Sequence, residues 1–273
     1  MTHHYIIKAD GEEEPFLVEK LERSLQHAGA SSTIRAEIAS QILDGLKPGM
    51  TTEDVYRRAF QMLKKHEVAP VAARYSVKRA VFALGPSGFP FEQFLAEILR
   101  GHGWTAKTDM MLTGRCAPHE VDVLAEKKGN RVGIEVKFHN EPGGKTDIKD
   151  ALYVYARFED LKAAPTLSSR VDEGWLVTNT VFTTNAIRYA RCVGLSLIAW
   201  DYPATRGLMH LIEEARVHPI TALTTLNDSE KRRLLDGRIV LCRNLTTPHI
   251  LKEYGIPPGR IEEVVAEARG LCG

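Results

Sequence analysis

Two short stretches of this chain carry side chains that could do chemistry together. Glu135-Val136-Lys137 runs acid, apolar, base, and because side chains alternate between the faces of a strand, Glu135 and Lys137 fall on the same face. Upstream, Glu120-Val121-Asp122-Val123-Leu124 alternates in the same way, and Lys127-Lys128-Gly129-Asn130 supplies turn residues between the two runs. A two-residue loop sets Asp122 opposite Glu135 or Lys137 according to register, with directly opposed Cβ atoms about 4.5–5.5 Å apart. A loop of odd length turns Asp122 to the other face. Two carboxylates so placed are hard oxygen ligands for Mg²⁺ or Mn²⁺, a cation class that binds through one or two carboxylates and the phosphate oxygens of a substrate. Asp122 and Glu135 are therefore the metal candidates. Lys137 would position the attacking water or stabilise developing charge. A surface ion pair on a half-exposed sheet is the alternative reading of so short a pattern.

The elements that must position these residues are also legible. Phe89-Pro90-Phe91-Glu92-Gln93-Phe94-Leu95-Ala96-Glu97-Ile98-Leu99 reads as a helix opening a domain, and a second helical stretch after Lys137 closes at Asp160-Leu161. Trp175-Leu176-Val177-Thr178 and Leu195 to Trp200 read as strands flanking a helix from about Asn185 to Val193, a crossover unit that extends the sheet. Lys149, Tyr153, Tyr155 and Arg157 gather basic and aromatic groups that could meet a DNA backbone. His139 continues the face of Glu135 and Lys137, and Phe138 to Asp147 reads as a polar loop leaving the strand.

The order helix, hairpin with D…ExK, helix, strand resembles the PD-(D/E)xK nuclease superfamily, most closely its Mrr-like restriction endonuclease domains, over roughly residues 88–202. The resemblance implies a mixed sheet flanked by helices, with Asp122 and Glu135 binding metal and Lys137 catalytic. It also implies an auxiliary glutamate from the opening helix, Glu92 ahead of Glu97. Val121 rather than Pro precedes Asp122, as in many Mrr-like members.

The first 85 residues read as a separate unit. Tyr5-Ile6-Ile7-Lys8 enters a turn at Asp10-Gly11, and apolar stripes follow: Val18, Leu21 and Leu25; Ile34, Ile38 and Ile42; Val55, Ala59 and Leu63. Thr51-x-x-Asp54 can open the third helix, and a fourth runs from about Pro70 to Leu84, before the linker Gly85-Pro86-Ser87-Gly88. Ile6 to Gly11, then Phe16, Glu19-Lys20-Leu21 and Val71 to Tyr75 together resemble an ATP-cone, a nucleotide-sensing module. That resemblance makes Lys8, Lys20 and Arg23 the phosphate-contact candidates for ATP or dATP. Ala9 stands where the family usually has a second basic residue.

From about Pro219, short helical pieces are broken by Asp236-Gly237, Thr247-Pro248 and Pro257-Pro258-Gly259. Leu234 to Val240 resembles a helix-hairpin-helix element, and a small packing or dimerisation domain is the alternative. The expectation is an α/β multi-domain chain: residues 1–85 a mainly helical ATP-cone with a short hairpin, 86–215 the nuclease domain, 216–273 a small helical domain. No apolar run is long enough to span a membrane, no signal-peptide pattern opens the chain, and the four spread cysteines are expected to be reduced thiols in the cytoplasm. With 36 basic and 35 acidic residues, DNA binding requires a local basic patch. The functional expectation is a Mg²⁺-dependent DNA endonuclease under ATP or dATP control, assembling as a homo-oligomer. The alternatives are a nucleotide-responsive DNA-binding regulator with a retired nuclease fold, or a structure-specific nuclease such as a junction resolvase.

Overall fold

The structure, a computed structural model, describes residues 4–66 and 69–272. The N-terminal elements are β1 (Tyr5–Ile7), β2 (Glu13–Pro15), α1 (Val18–His27), α2 (Ser32–Asp44), α3 (Thr52–His66), α4 (Ala69–Tyr75) and α5 (Val77–Phe82). The middle of the chain gives α6 (Phe89–Gly101), β3 (Thr105–Thr113), β4 (Pro118–Lys127), β5 (Asn130–Lys137), β6 (Lys145–Thr146), α7 (Ile148–Lys162), β7 (Glu173–Thr178), β8 (Val181–Phe182), α8 (Thr184–Val193), β9 (Ser196–Ile198) and α9 (Leu208–Ala215). The C-terminal stretch adds α10 (Asp228–Asp236), α11 (Pro248–Glu253) and α12 (Pro258–Cys272), with 3-10 turns at Ile220–Ala222 and Cys242–Leu245.

These elements form two compact units: the chain through Ala80 together with the chain from His218 onward, and Val81–Val217 between them. In the first unit, β1 and β2 pair antiparallel around a turn that places Gly11 at φ +84°, where a Cβ would be strained. The apolar stripes of α1, α2 and α3 meet in a core that includes Leu21, Leu25, Ile38, Ile42, Ala59 and Leu63. The Thr51 hydroxyl and the Asp54 carboxylate cap each other's backbone N–H groups at the start of α3, as the Thr-x-x-Asp spacing predicts. The single helix expected over 70–84 is instead two, α4 and α5. The Ser76 hydroxyl donates to Ala73 O at 2.8 Å, offering the backbone a local bond in place of helix continuation.

The C-terminal stretch builds onto this N-terminal part. Helix α12 packs on α4, and the Thr221 hydroxyl donates to Ala80 O at 2.6 Å. Two buried acids brace it from within. Glu267 accepts from the backbone N–H and hydroxyl groups of Thr224 and Thr225, and Glu230 pairs with Arg260. Cys242 and Cys272, expected as reduced thiols, are joined in a disulfide with Cα atoms 6.5 Å apart. The 3-10 turn at Cys242 lies against the end of α12 and brings together thiols that are 30 residues apart in sequence.

The second unit is a five-stranded sheet in the order β3-β4-β5-β7-β9. The first three strands are antiparallel; β7 and β9 extend the sheet in parallel to β5, and α8 makes the expected crossover between them. Helices α7 and α8 cover one face, burying Val154, Phe158, Leu176 and Leu197, while α6 and α9 lie on the face that carries Trp175. Strand β3 departs from the sequence expectation, which placed no strand between the opening helix and Glu120. As an edge strand it exposes Thr105, Lys107, Asp109 and Met111 and fully buries only Ala106 and Leu112, so its hydrophobic signal is weak.

Candidate active site

The β4–β5 connection is a two-residue turn, Lys128 at φ +53° and Gly129 at φ +80°, closed by the Lys127↔Asn130 pair. An even loop keeps the two alternating runs in phase. Val123 pairs with Ile134, so one further step sets Asp122 against Glu135, with Lys137 two residues along on the same face. Asp122 Oδ2 accepts from the backbone N–H of Val136 at 2.7 Å, which fixes the carboxylate across the strand gap.

Acids crowd this row. Thr108↔Val123 and Met110↔Val121 flank the position where Asp109, at φ +56°, stands opposite Asp122 on the other side. From α6 comes Glu92; the ring of Phe91 packs on Phe138 with centroids 5.4 Å apart, holding the helix start near the end of β5. Burial, then the charge of Asp122, pushes the Glu92 carboxyl up to about 7. Burial, then the charge of Glu135, pushes Asp122 up to about 6. Glu97, the other helix acid, pairs with Arg100 on its own helix.

Two cations meet this acid row at Glu135, which is 5% exposed. Lys137 Nζ donates to Oε1 at 2.8 Å, and Arg157 Nη1, from α7, donates to Oε2. Burial works to lower the Lys137 pKa, but the hydrogen bond and charge of Glu135 outweigh it and hold the ammonium above the usual lysine range. Arg157 also donates to Glu120 O at 3.0 Å and, through Nη2, to the Tyr153 hydroxyl at 2.6 Å. It is therefore part of the site, whereas the sequence placed it on a DNA-facing surface.

The donor set fits a hard divalent cation: it is all carboxylate oxygen, and Glu92, Asp122 and Glu135 are half-buried or buried and close enough for their charges to act on one another. Among the described residues no three acidic, histidine or cysteine side chains converge closely enough to hold a metal as they stand. Both Glu135 oxygens are drawn instead to Lys137 and Arg157.

The loop leaving β5 is clamped. Asn179, fully buried, accepts from His139 N–H and donates to His139 O, both at 2.8 Å, and His139 Nε2 lies 2.9 Å from the Thr146 hydroxyl. The Thr178-Asn179-Thr180 run thus holds this loop, and His139 is tied to it.

The chain matches the ATP cone domain family over residues 4–81, the restriction endonuclease family Mrr_cat over 85–209, and the AF1548-like C-terminal family over 218–272. It is 36% identical over 181 residues to an uncharacterized protein of Archaeoglobus fulgidus, an alignment spanning 66% of this chain and all of the relative. The chain belongs to the AF1548-like family, with an ATP-cone followed by an Mrr_cat restriction endonuclease domain. A crystal structure described as a protein of unknown function, AF1548, superposes with a TM-score of 0.57 at 35% identity, covering 68% of this chain and 99% of that one. The 181 aligned residues are too few to hold all three segments matched in this AF1548-like chain.

In the ATP-cone of this AF1548-like protein, Lys8 Nζ donates to Glu12 at 2.7 Å and Lys20 Nζ to Glu14 at 3.1 Å. The hydrogen bond to Glu12 raises the Lys8 pKa. Arg23 lies exposed on α1. Both lysines are thus partnered by glutamates of the hairpin. Two residues that sequence reasoning left outside the site are Arg157 and Asp109. Nothing in local spacing marks the first, while the second was hidden with the edge strand that carries it.

Proposed function

We propose that this protein is a metal-dependent endonuclease that hydrolyses phosphodiester bonds in DNA, with ATP or dATP bound at the ATP-cone modulating it. The observation carrying this reading is the register that sets Asp122 against Glu135, with Lys137 Nζ 2.8 Å from Glu135 on the same face. Asp122 and Glu135 would hold Mg²⁺ or Mn²⁺, with Glu92 an auxiliary ligand. Bound there, the cation would polarise the scissile phosphate and acidify a bound water. The Val136 N–H keeps the Asp122 carboxylate oriented. Lys137, held protonated, stabilises charge developing on the phosphate rather than serving as a base. Lys8, Lys20 and Arg23 would take the nucleotide phosphates, Lys8 and Lys20 exchanging their glutamates for them. No helix among the described residues is long and apolar enough to cross a membrane, and the reading places the protein in the cytoplasm, acting as a homo-oligomer.

A second reading, a nucleotide-responsive DNA-binding regulator, is favoured by one observation: Glu135 is fully engaged by two cations. Incubating plasmid, linear and branched DNA with Mg²⁺ or Mn²⁺, with and without ATP and dATP, separates the two and shows whether a branched substrate is preferred. Cleavage is expected, and Asp122→Asn or Lys137→Ala should lower it by about 10²-fold or more, the scale of removing one transition-state contact. DNA binding without cleavage under every condition would leave the regulator. Calorimetry with ATP, ADP and dATP tests the nucleotide site, and no heat from any of them ends that part of the reading.

A further inference from the structure

The Glu135 carboxylate already has the positive charge that a divalent cation would bring, so metal binding requires one of its two partners to leave. Lys137 is poorly suited to do so, being two residues away on the same strand. Arg157 differs in three ways. It reaches Glu135 from a separate helix, α7. Its Nε is buried without a hydrogen-bond partner, so the guanidinium is held at its two terminal nitrogens only. And it borders a cavity of about 640 Å³ also lined by Arg115, His119, Tyr153 and Asp160.

That cavity suits an anion. Both acids in its wall are already engaged: Glu159 accepts from Lys162 Nζ at 2.7 Å, while Asp160 accepts from Cys116 N–H at 2.8 Å and Ala117 N–H at 3.2 Å, and His119 Nε2 lies 2.8 Å from it. Arg115 is exposed at the rim, and the Tyr153 hydroxyl, with its ring 4.7 Å from the guanidinium carbon, keeps Arg157 beside the opening as it moves. A guanidinium released here can take a phosphate through two parallel N–H bonds, a geometry that lysine cannot reproduce.

We propose that Arg157 is a positioning residue that occupies Glu135 in the absence of metal and, when the cation binds, hands the carboxylate over and clamps a backbone phosphate of the DNA in the adjoining cavity. The inference rests on the nuclease reading above. It explains in one step why Glu135 is closed and why Arg157, bonded to Tyr153, stands at the edge of the adjoining cavity.

The test is Mn²⁺ binding by calorimetry on the full chain, together with anisotropy of a labelled duplex made uncleavable by phosphorothioate linkages, with and without Mn²⁺. Arg157→Gln should bind Mn²⁺ about tenfold or more tightly than wild type, because a unit charge a few ångströms from the ligand is removed. Arg157→Lys, which keeps the charge, should stay near wild type. Arg157→Met keeps the buried stem, carries the same expectation as Gln, and covers failure of that variant to fold. Duplex affinity of Arg157→Gln should fall only when Mn²⁺ is present. Unchanged or weaker Mn²⁺ binding in both neutral variants, or an equal loss of duplex affinity without Mn²⁺, overturns the handover. If wild type also cleaves DNA, the nuclease reading survives that result; if neither wild type nor the neutral variants bind Mn²⁺, both fall.

Discussion

Glu92 and Asp122 carry the most informative pH dependence of the molecule, because both are raised by burial and by neighbouring acids. Cation binding needs both ionised, so Mn²⁺ affinity should climb as pH rises through about 6 and then about 7. In Glu92→Gln the upper of these two steps should vanish in calorimetry at stepped pH. Stability without metal has the opposite sign. Between the ordinary carboxylate values of 3.8 and 4.5 and the raised ones, the folded protein binds more protons than the unfolded chain, so stability falls as pH rises through that window. Asp160 behaves in reverse: His119, then Cys116 and Ala117, hold it down to about 2, and its contribution is present above 3.8 and lost as pH falls towards 2. Melting curves from pH 2 to 8 without metal should therefore show a maximum below neutrality. Addition of Mn²⁺ should flatten its upper flank, and a melting temperature that rose steadily to pH 8 without metal would contradict these assignments.

Helix α7 decides where Arg157 stands, and it does so through its neighbour Phe158. Phe158 is 1% exposed and its ring packs closely on the backbone where β5 and β7 each present a glycine; a Cβ at Gly133 or Gly174 would overlap it. Gly133→Ala should cost about 1–3 kcal/mol by overpacking. Lifting α7 should also draw Arg157 off Glu135, so thermal melting and Mn²⁺ affinity should move in opposite directions, the first down and the second up. Loss of stability with no change in metal affinity would show that the helix does not set the guanidinium. The same contact explains what sequence could and could not reveal. Asp122, Glu135 and Lys137 were legible because period-two alternation and the Lys128-Gly129 turn are local and together fix the register. Arg157 was not, since its approach depends on a ring and two glycines far apart in sequence, assembled only when β7 pairs with β5. Strand β3 escaped because an edge strand with one solvated face has little apolar pattern, and Asp109 went with it.

At the scale of the whole chain, the segment boundaries read from sequence meet a discontinuous unit. The stretch from His218 is far in sequence from the ATP-cone yet folds with it, through α12 on α4 and the Thr221 bond to Ala80 O, while the restriction endonuclease domain is carried between them as an insertion. Sequence patterns could not show this, because the helices α10, α11 and α12 have ordinary amphipathic stripes that do not say what covers them. Packing of α12 on α4 should make the two segments melt together. Leu25 in α1 and Leu271 in α12 are both buried, 0% and 5% exposed, and each Leu→Ala change should cost about 2–5 kcal/mol. In scanning calorimetry both substitutions should lower the same transition, the one that ATP raises if the ATP-cone binds nucleotide. Reduction of the Cys242–Cys272 disulfide should lower that transition too, since the bond closes a loop of 30 residues within the unit. Were Leu25→Ala and Leu271→Ala to depress two different transitions, the terminal segments would be two folding units in contact, and a nucleotide bound at the hairpin would have no cooperative route to α12.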